Sequence, residues 1–120
     1  MKGYKLPESE LKVMDFIWEK GTASAKETAN YMTAKYGWKK NTTYTVLANL
    51  IEKKILERNE PGFFCKPLIE REKVGKEEAN NLLERFYQGS VAALFSSFLD
   101  DRHISKEDLE EIKKMIEESN

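Results

Sequence analysis

Three threonines fall within four positions, Thr42, Thr43 and Thr45, with Tyr44 between them and Asn41 and Asn49 on either side. Threonine is a mediocre helix former, so helix propensity does not account for the run. Hydroxyl and amide groups of this length can reach the base edges or phosphates of a duplex. Cations gather around them. Lys35, Lys39, Lys40, Lys53, Lys54 and Arg58 stand against only Glu52 and Glu57, a local excess of four positive charges. The chemistry implied is phosphate neutralisation beside base reading. The expected DNA-binding set is Lys39, Lys40, Asn41, Thr42, Thr43, Tyr44, Thr45, Asn49, Lys53 and Arg58. A blander reading competes. Lysines at a helix C-terminus, such as Lys53 and Lys54, are favoured by the helix dipole alone. The chain would then be a winged-helix protein-interaction module without sequence-specific DNA binding.

Other chemistry is sparse. His103 lies beside Asp100 and Asp101 and could act as a base, but no nucleophile is spaced for it, so a surface histidine is expected. The pairs Glu77-Glu78, Glu110-Glu111 and Glu117-Glu118 accompany apolar residues at helical spacing and read as solvated helix faces. There is no Gly-rich phosphate loop, no HExxH and no GxSxG. Cys65 is the single cysteine, which excludes an internal disulfide. One Cys and one His leave no metal cluster of the two. No enzyme, cofactor or metal is expected.

The threonines need helices and strands around them to hold them at a surface. Residues 8–19 read as a helix with Leu11, Met14, Ile17 and Trp18 in one stripe, widened by Val13 and Phe16. Glu8 or Ser9 should serve its first N–H groups, and Gly21 should stop it. Ser24-Ala25-Lys26-Glu27 fits a capping box. It opens a second helix with Ala25, Ala29, Met32 and Tyr36 on one face, ended by Gly37. The third helix runs from Asn41 or Thr42, either of which can cap it, to about Lys54, with Val46, Leu47, Leu50 and Ile51 as its apolar face. Two strands, Ile55–Arg58 and Phe63–Lys66, flank Pro61-Gly62, which fits a type II turn. Pro67 should end the second strand. Helix, short turn, helix and hairpin outline a winged helix-turn-helix.

From Gly75 the pattern is helical again. Ala79, Leu82, Leu83, Phe86 and Tyr87 form one face, closed by Gly89. Ser90 can cap a helix carrying Val91, Leu94, Phe95, Phe98 and Leu99. Ser105 opens a last helix with Leu109, Ile112, Met115 and Ile116 together. Three short amphipathic helices cannot enclose a strong core alone. A second copy of the chain is the simplest cover, so a twofold homodimer is expected. Its contacts should include Leu82, Phe86, Tyr87, Val91, Leu94, Phe95, Phe98, Leu99, Leu109, Ile112 and Ile116.

The fold class expected is mainly α: a winged helix-turn-helix domain at 1–73, then a three-helix dimerisation domain at 74–120. Charge divides the same way. Residues 1–73 hold 14 basic and 10 acidic side chains, net +4, and residues 74–120 hold 6 and 11, net −5. The total of −1 is a cancellation and does not oppose DNA binding. The longest apolar run is Val91 to Phe95, far short of the roughly twenty residues a span needs. The start shows no secretory signal, so a cytoplasmic protein without membrane insertion is expected.

The chain resembles the penicillinase-repressor (BlaI/MecI-type) family of transcriptional regulators over essentially its whole length. Glu10 to Met14 with Trp18 is similar to the family's opening helix. Trp38 to Leu56, with Thr42, Thr45, Leu47, Leu50, Ile51 and Lys53, is similar to its recognition segment. Leu83-Glu84-Arg85-Phe86-Tyr87-Gln88-Gly89-Ser90, followed by Phe98-Leu99, is close to its tail motif and is the most specific block. The resemblance implies a dimeric repressor on a palindromic operator of double-stranded DNA. It implies release by cleavage in the tail, by a membrane-bound sensor metalloprotease that responds to β-lactams, and so a link to antibiotic resistance. The family's cleavable Asn-Phe corresponds to Ser97-Phe98 here. Its Ser-Pro-Lys corresponds to Lys39-Lys40-Asn41, an Arg to Asn49, and a Gly after the Lys pair to Lys54. The tail lacks the Cys-x-Cys pair of the copper-responsive branch, so copper sensing is not expected.

Overall fold

A computed structural model describes residues 5–101 and 104–119. His103 lies outside the described residues. The chain forms two compact units, Met1–Glu78 and Ala79–Asn120. The expected division at 73/74 falls within a helix that spans both.

The first unit holds α1 (Glu8–Lys20), β1 (Ala23–Ser24), α2 (Ala25–Tyr36), α3 (Lys40–Glu52), β2 (Leu56–Asn59) and β3 (Phe64–Pro67). It ends in α4 (Arg71–Phe86), which begins four residues before the expected Gly75. The strands form an antiparallel sheet ordered β1-β3-β2. β1 pairs Ala23 with Cys65, and β2 pairs Arg58 with Cys65 across β3. Two residues are too few for alternation to reveal β1 in the sequence.

The core gathers Val13, Met14, Ile17, Ala25, Met32, Leu47, Leu50, Ile55, Leu56 and Cys65, all nearly inaccessible. Burial there pushes the Cys65 thiol up to about 11, so it stays neutral. On α1 the buried face is Glu10, Val13, Met14 and Ile17. This corrects the expected stripe: Leu11 is exposed and Trp18 half-buried. A charged residue can hold an inward position because Lys53 Nζ donates to Glu10 Oε1 at 2.7 Å. Pro7 stands at the N-cap of α1 with no side-chain cap, so neither Glu8 nor Ser9 serves there.

The capping box on α2 forms as expected. Glu27 N donates to Ser24 Oγ at 3.0 Å, and Ser24 N donates to Glu27 Oε1 at 3.3 Å. Tyr36 is exposed rather than core-facing, with its ring 6.1 Å from that of Trp38. Gly37 ends α2 in the left-handed region. Thr33 Oγ1 donates to the Trp38 carbonyl at 2.7 Å and pins the turn into α3. The segment after β3 is tied back to α1. Trp18 Nε1 donates to the Ile69 carbonyl at 2.9 Å, and Arg71 pairs with Asp15 at 3.2 Å.

The second unit contains the rest of α4, then α5 (Val91–Asp100) and α6 (Lys106–Glu118). Ser90 accepts from Ala93 N and Ser105 from Asp108 N, each at 3.0 Å, as their spacing predicts. None of the described residues from Ala79 onward is buried.

Candidate nucleic-acid interface

Helix α3 starts earlier than the sequence suggests. Lys39 is its N-cap, with extended backbone angles and no side-chain cap, and Thr42 N donates to the Lys39 carbonyl at 3.0 Å. Asn41 and Thr42 are therefore first-turn residues and not caps. Their side chains are left for other partners. The α-helical period of about 3.6 residues then sorts the threonine run. Val46, Leu47, Leu50 and Thr43 turn inward, while Asn41, Thr42, Tyr44, Thr45 and Asn49 are exposed.

Thr43 corrects the expected set. It is fully buried, and its Oγ1 has no hydrogen-bond partner. Its side chain is closed off from solvent and cannot touch a duplex. Lys53 is exposed like Lys39 and Lys40 but differs from them in being paired, its ammonium donating to Glu10 at 2.7 Å. Lys39 and Lys40 are exposed beside the N-terminus of α3. Unpaired N–H groups at that terminus favour a phosphate nearby.

Arg58 comes from β2. Its guanidinium lies 3.6 Å from the centroid of the Phe63 ring and its Nε pairs with Glu60 Oε2. The wing turn differs from the expected type II form. The Glu60–Pro61 peptide is cis, and Gly62 and Phe63 both have positive φ, +96° and +51°. Glu60 organises this turn by accepting from Phe63 N at 3.2 Å. Arg58 first, and then that N–H, hold the Glu60 carboxyl below the usual carboxylate range. The φ of +96° favours glycine at position 62, and a Cβ there would also press on the exposed Phe64 ring at 2.9 Å. Pro67 is the last residue of β3 rather than its stop.

In the second unit the expected contact residues share no core. Phe86, Val91, Leu99 and Ile116 are each more than half exposed. Leu82 and Phe98 are exposed too, and Tyr87, Leu94, Phe95, Leu109 and Ile112 are half-buried. Ser97 and Phe98 lie inside α5, where Ser97 Oγ donates to the Leu94 carbonyl at 2.7 Å.

Glu10 and Glu60 were not singled out by spacing. An acid on an apolar stripe was the available signal for Glu10. Adjacent phenylalanines in a short strand were the signal for Phe63.

Three helices, a three-stranded wing and a polar exposed face on the third helix define a winged helix-turn-helix DNA-binding regulator. A family model described as the penicillinase repressor matches residues 6–118. The chain belongs to the penicillinase repressor family, and it is a DNA-binding transcriptional repressor rather than an enzyme. It is 27% identical to the penicillinase repressor of Bacillus licheniformis over 116 residues, covering 95% of this chain and 91% of that protein. It is 24% identical to the methicillin resistance regulatory protein MecI of Mammaliicoccus sciuri over 117 residues, covering 96% and 95%. A solution structure of the DNA-binding domain of the repressor BlaI matches with a TM-score of 0.55 at 27% identity, over 60% of this chain and 90% of that one. The monomeric form of Bacillus licheniformis BlaI in complex with the blaP half-operator matches with a TM-score of 0.53, at 27% identity and the same coverage. No helix among the described residues is long and apolar enough to cross a membrane.

Proposed function

We propose that the protein represses transcription as a homodimer on a palindromic operator. The observation that carries this is the exposed face of α3, where Asn41, Thr42, Thr45 and Asn49 stand together with Lys39 and Lys40 beside them. Threonine and asparagine read base edges, and the lysines neutralise phosphates. The solved complex of BlaI with a half-operator supports duplex DNA as the partner of this chain. Arg58 meets the backbone from the wing.

The second unit supplies the joint between two such heads. Its half-exposed large apolar side chains need cover, and a second copy offers the same faces in return. Linking two half-site contacts raises affinity by about a hundredfold or more over one head. Cleavage at Ser97-Phe98 would separate Leu99 and α6 from the rest and undo that gain. The DNA surface itself would be unchanged. The bond lies within α5, so a protease that binds extended chain must first open that helix. The relatives named as penicillinase and methicillin-resistance regulators favour a signal from antibiotics or cell-wall damage, relayed by a membrane-bound sensor metalloprotease acting in the cytoplasm.

The test is duplex selection from a random-sequence pool with the full chain. The expected product is a palindrome with half-sites a whole number of helical turns apart. Binding should weaken steeply with salt, and Lys40→Ala should lower the salt slope by about one unit per half-site. Selection of no sequence, with salt-independent binding, would favour the protein-interaction module.

A further inference from the structure

Phe63 sits where four parts of the first unit meet. Its carbonyl accepts from Ala25 N, the first residue of α2, at 2.9 Å. Its own N–H goes to Glu60 of the turn. Its ring is 6.0 Å from the Tyr44 ring of α3, tilted by 60°. The other side of that chain of contacts is Arg58, whose guanidinium carbon is 3.6 Å from the ring centroid. Phe63 is half-buried against the core, and it holds a left-handed φ that a bulky side chain rarely adopts. Filling space does not by itself require that arrangement.

We propose that Phe63 is a positioning residue for DNA recognition: its ring holds the Arg58 guanidinium flat and links it to Tyr44, so that wing and recognition helix meet the duplex as one rigid surface. The proposal rests on the operator-binding reading above. The Phe63 ring covers the guanidinium carbon at 3.6 Å and Glu60 occupies Nε. The terminal N–H groups lie at the edge and carry no bond among the described residues, so they are left for phosphate oxygens. Arg58 would otherwise lose its side-chain freedom on binding. Holding it in place beforehand removes that entropy loss. Glu60 completes the device, because one carboxylate fixes both the Phe63 amide and the Arg58 side chain.

The experiment measures binding of the full chain to its selected duplex across a salt series. Phe63→Leu keeps an apolar side chain and removes the ring. It should weaken binding about three- to tenfold per half-site. It should also lower the salt slope to that of Arg58→Ala, and add nothing further in the double variant. Phe63→Tyr should restore both affinity and slope. Arg58→Lys keeps the charge without the planar face, and should bind as weakly as Arg58→Ala. This last variant changes an exposed side chain, so it decides the matter even where Phe63→Leu fails to fold by circular dichroism. Additive losses from Phe63→Leu and Arg58→Ala would overturn the proposal. So would an unchanged slope in Phe63→Leu, or full affinity in Arg58→Lys. A wild-type chain that binds no duplex would instead remove the operator reading on which the proposal stands.

Discussion

The Lys53 ammonium donates to the Glu10 carboxylate at 2.7 Å, joining the end of α3 to the first turn of α1. The carboxylate side chain is 6% exposed and the lysine 44%. Removing the lysine alone strands a nearly buried acid. Lys53→Ala should therefore lower stability by about 1–2 kcal/mol in urea unfolding, discounted for the exposed half of the pair. Its effect on the salt slope of duplex binding should be smaller than that of Lys40→Ala. A larger slope loss at Lys53 would mean that it meets a phosphate despite the pairing.

Thr42 and Thr43 are neighbours with opposite fates. Thr42→Ala removes an exposed hydroxyl from the reading face and should relax base preference by about 1–3 kcal/mol at one operator position, with little change in melting temperature. Thr43→Val replaces a buried, unbonded hydroxyl with a methyl group of similar shape. It should raise stability by about 1 kcal/mol and leave binding unchanged. Competition binding against single-base operator variants, with thermal melts beside it, checks both.

Lys54 has a φ of +64°, in the left-handed region where glycine is at ease. The family's usual residue there, by resemblance, is glycine. Lys54→Gly should stabilise the chain by about 1 kcal/mol, since the left-handed conformation costs a side-chain-bearing residue about that much. Differential calorimetry measures it, and a lower melting temperature would sink the idea.

The capping box predicts a pH dependence. Lys20, and then the Ser24 backbone N–H, lower the pKa of Glu27 from 4.5. A lowered pKa stabilises the fold above the unfolded value and loses that contribution as pH falls through the folded one. Melting of the wild type should therefore drop below pH 4.5 more steeply than that of Glu27→Gln. Ser24→Ala should cost about 1 kcal/mol at neutral pH.

Local rules carried most of the fold into view. The Ser24 box, Gly21 and Gly37 as stops, and the Val46-Leu47-Leu50 face all depend on residues a few positions apart, and all stand where spacing puts them. The misreadings share another cause. Glu10 faces inward because of a lysine 43 positions away. Thr43 faces inward because helix phase overrides residue type. The wing turn follows Glu60, whose carboxylate bonds a backbone amide and a side chain at once. The threonine run was legible as a reading surface, but which of its members point outward depended on where α3 begins.

The chain can be cut after its first unit and still fold. Every buried residue among those described lies at or before Val74, so a chain ending at Glu78 retains the described core of the first unit. It should unfold cooperatively in urea and sediment as a monomer, while the full chain sediments as a dimer. A chain ending at Arg71 loses Val74, which is 5% exposed, and should melt at a lower temperature. The α3 face and Arg58 are intact in the Glu78 chain, so its salt slope per half-site should equal that of the full chain. Its affinity for the palindrome should nevertheless fall by about a hundredfold or more, because each head must then bind as a separate molecule. Anisotropy titrations against the whole palindrome and one half-site separate the two effects. Equal affinity of both chains for the palindrome would mean that the second unit does not join the heads. The exposed Phe86, Leu99 and Ile116 would then serve some other partner.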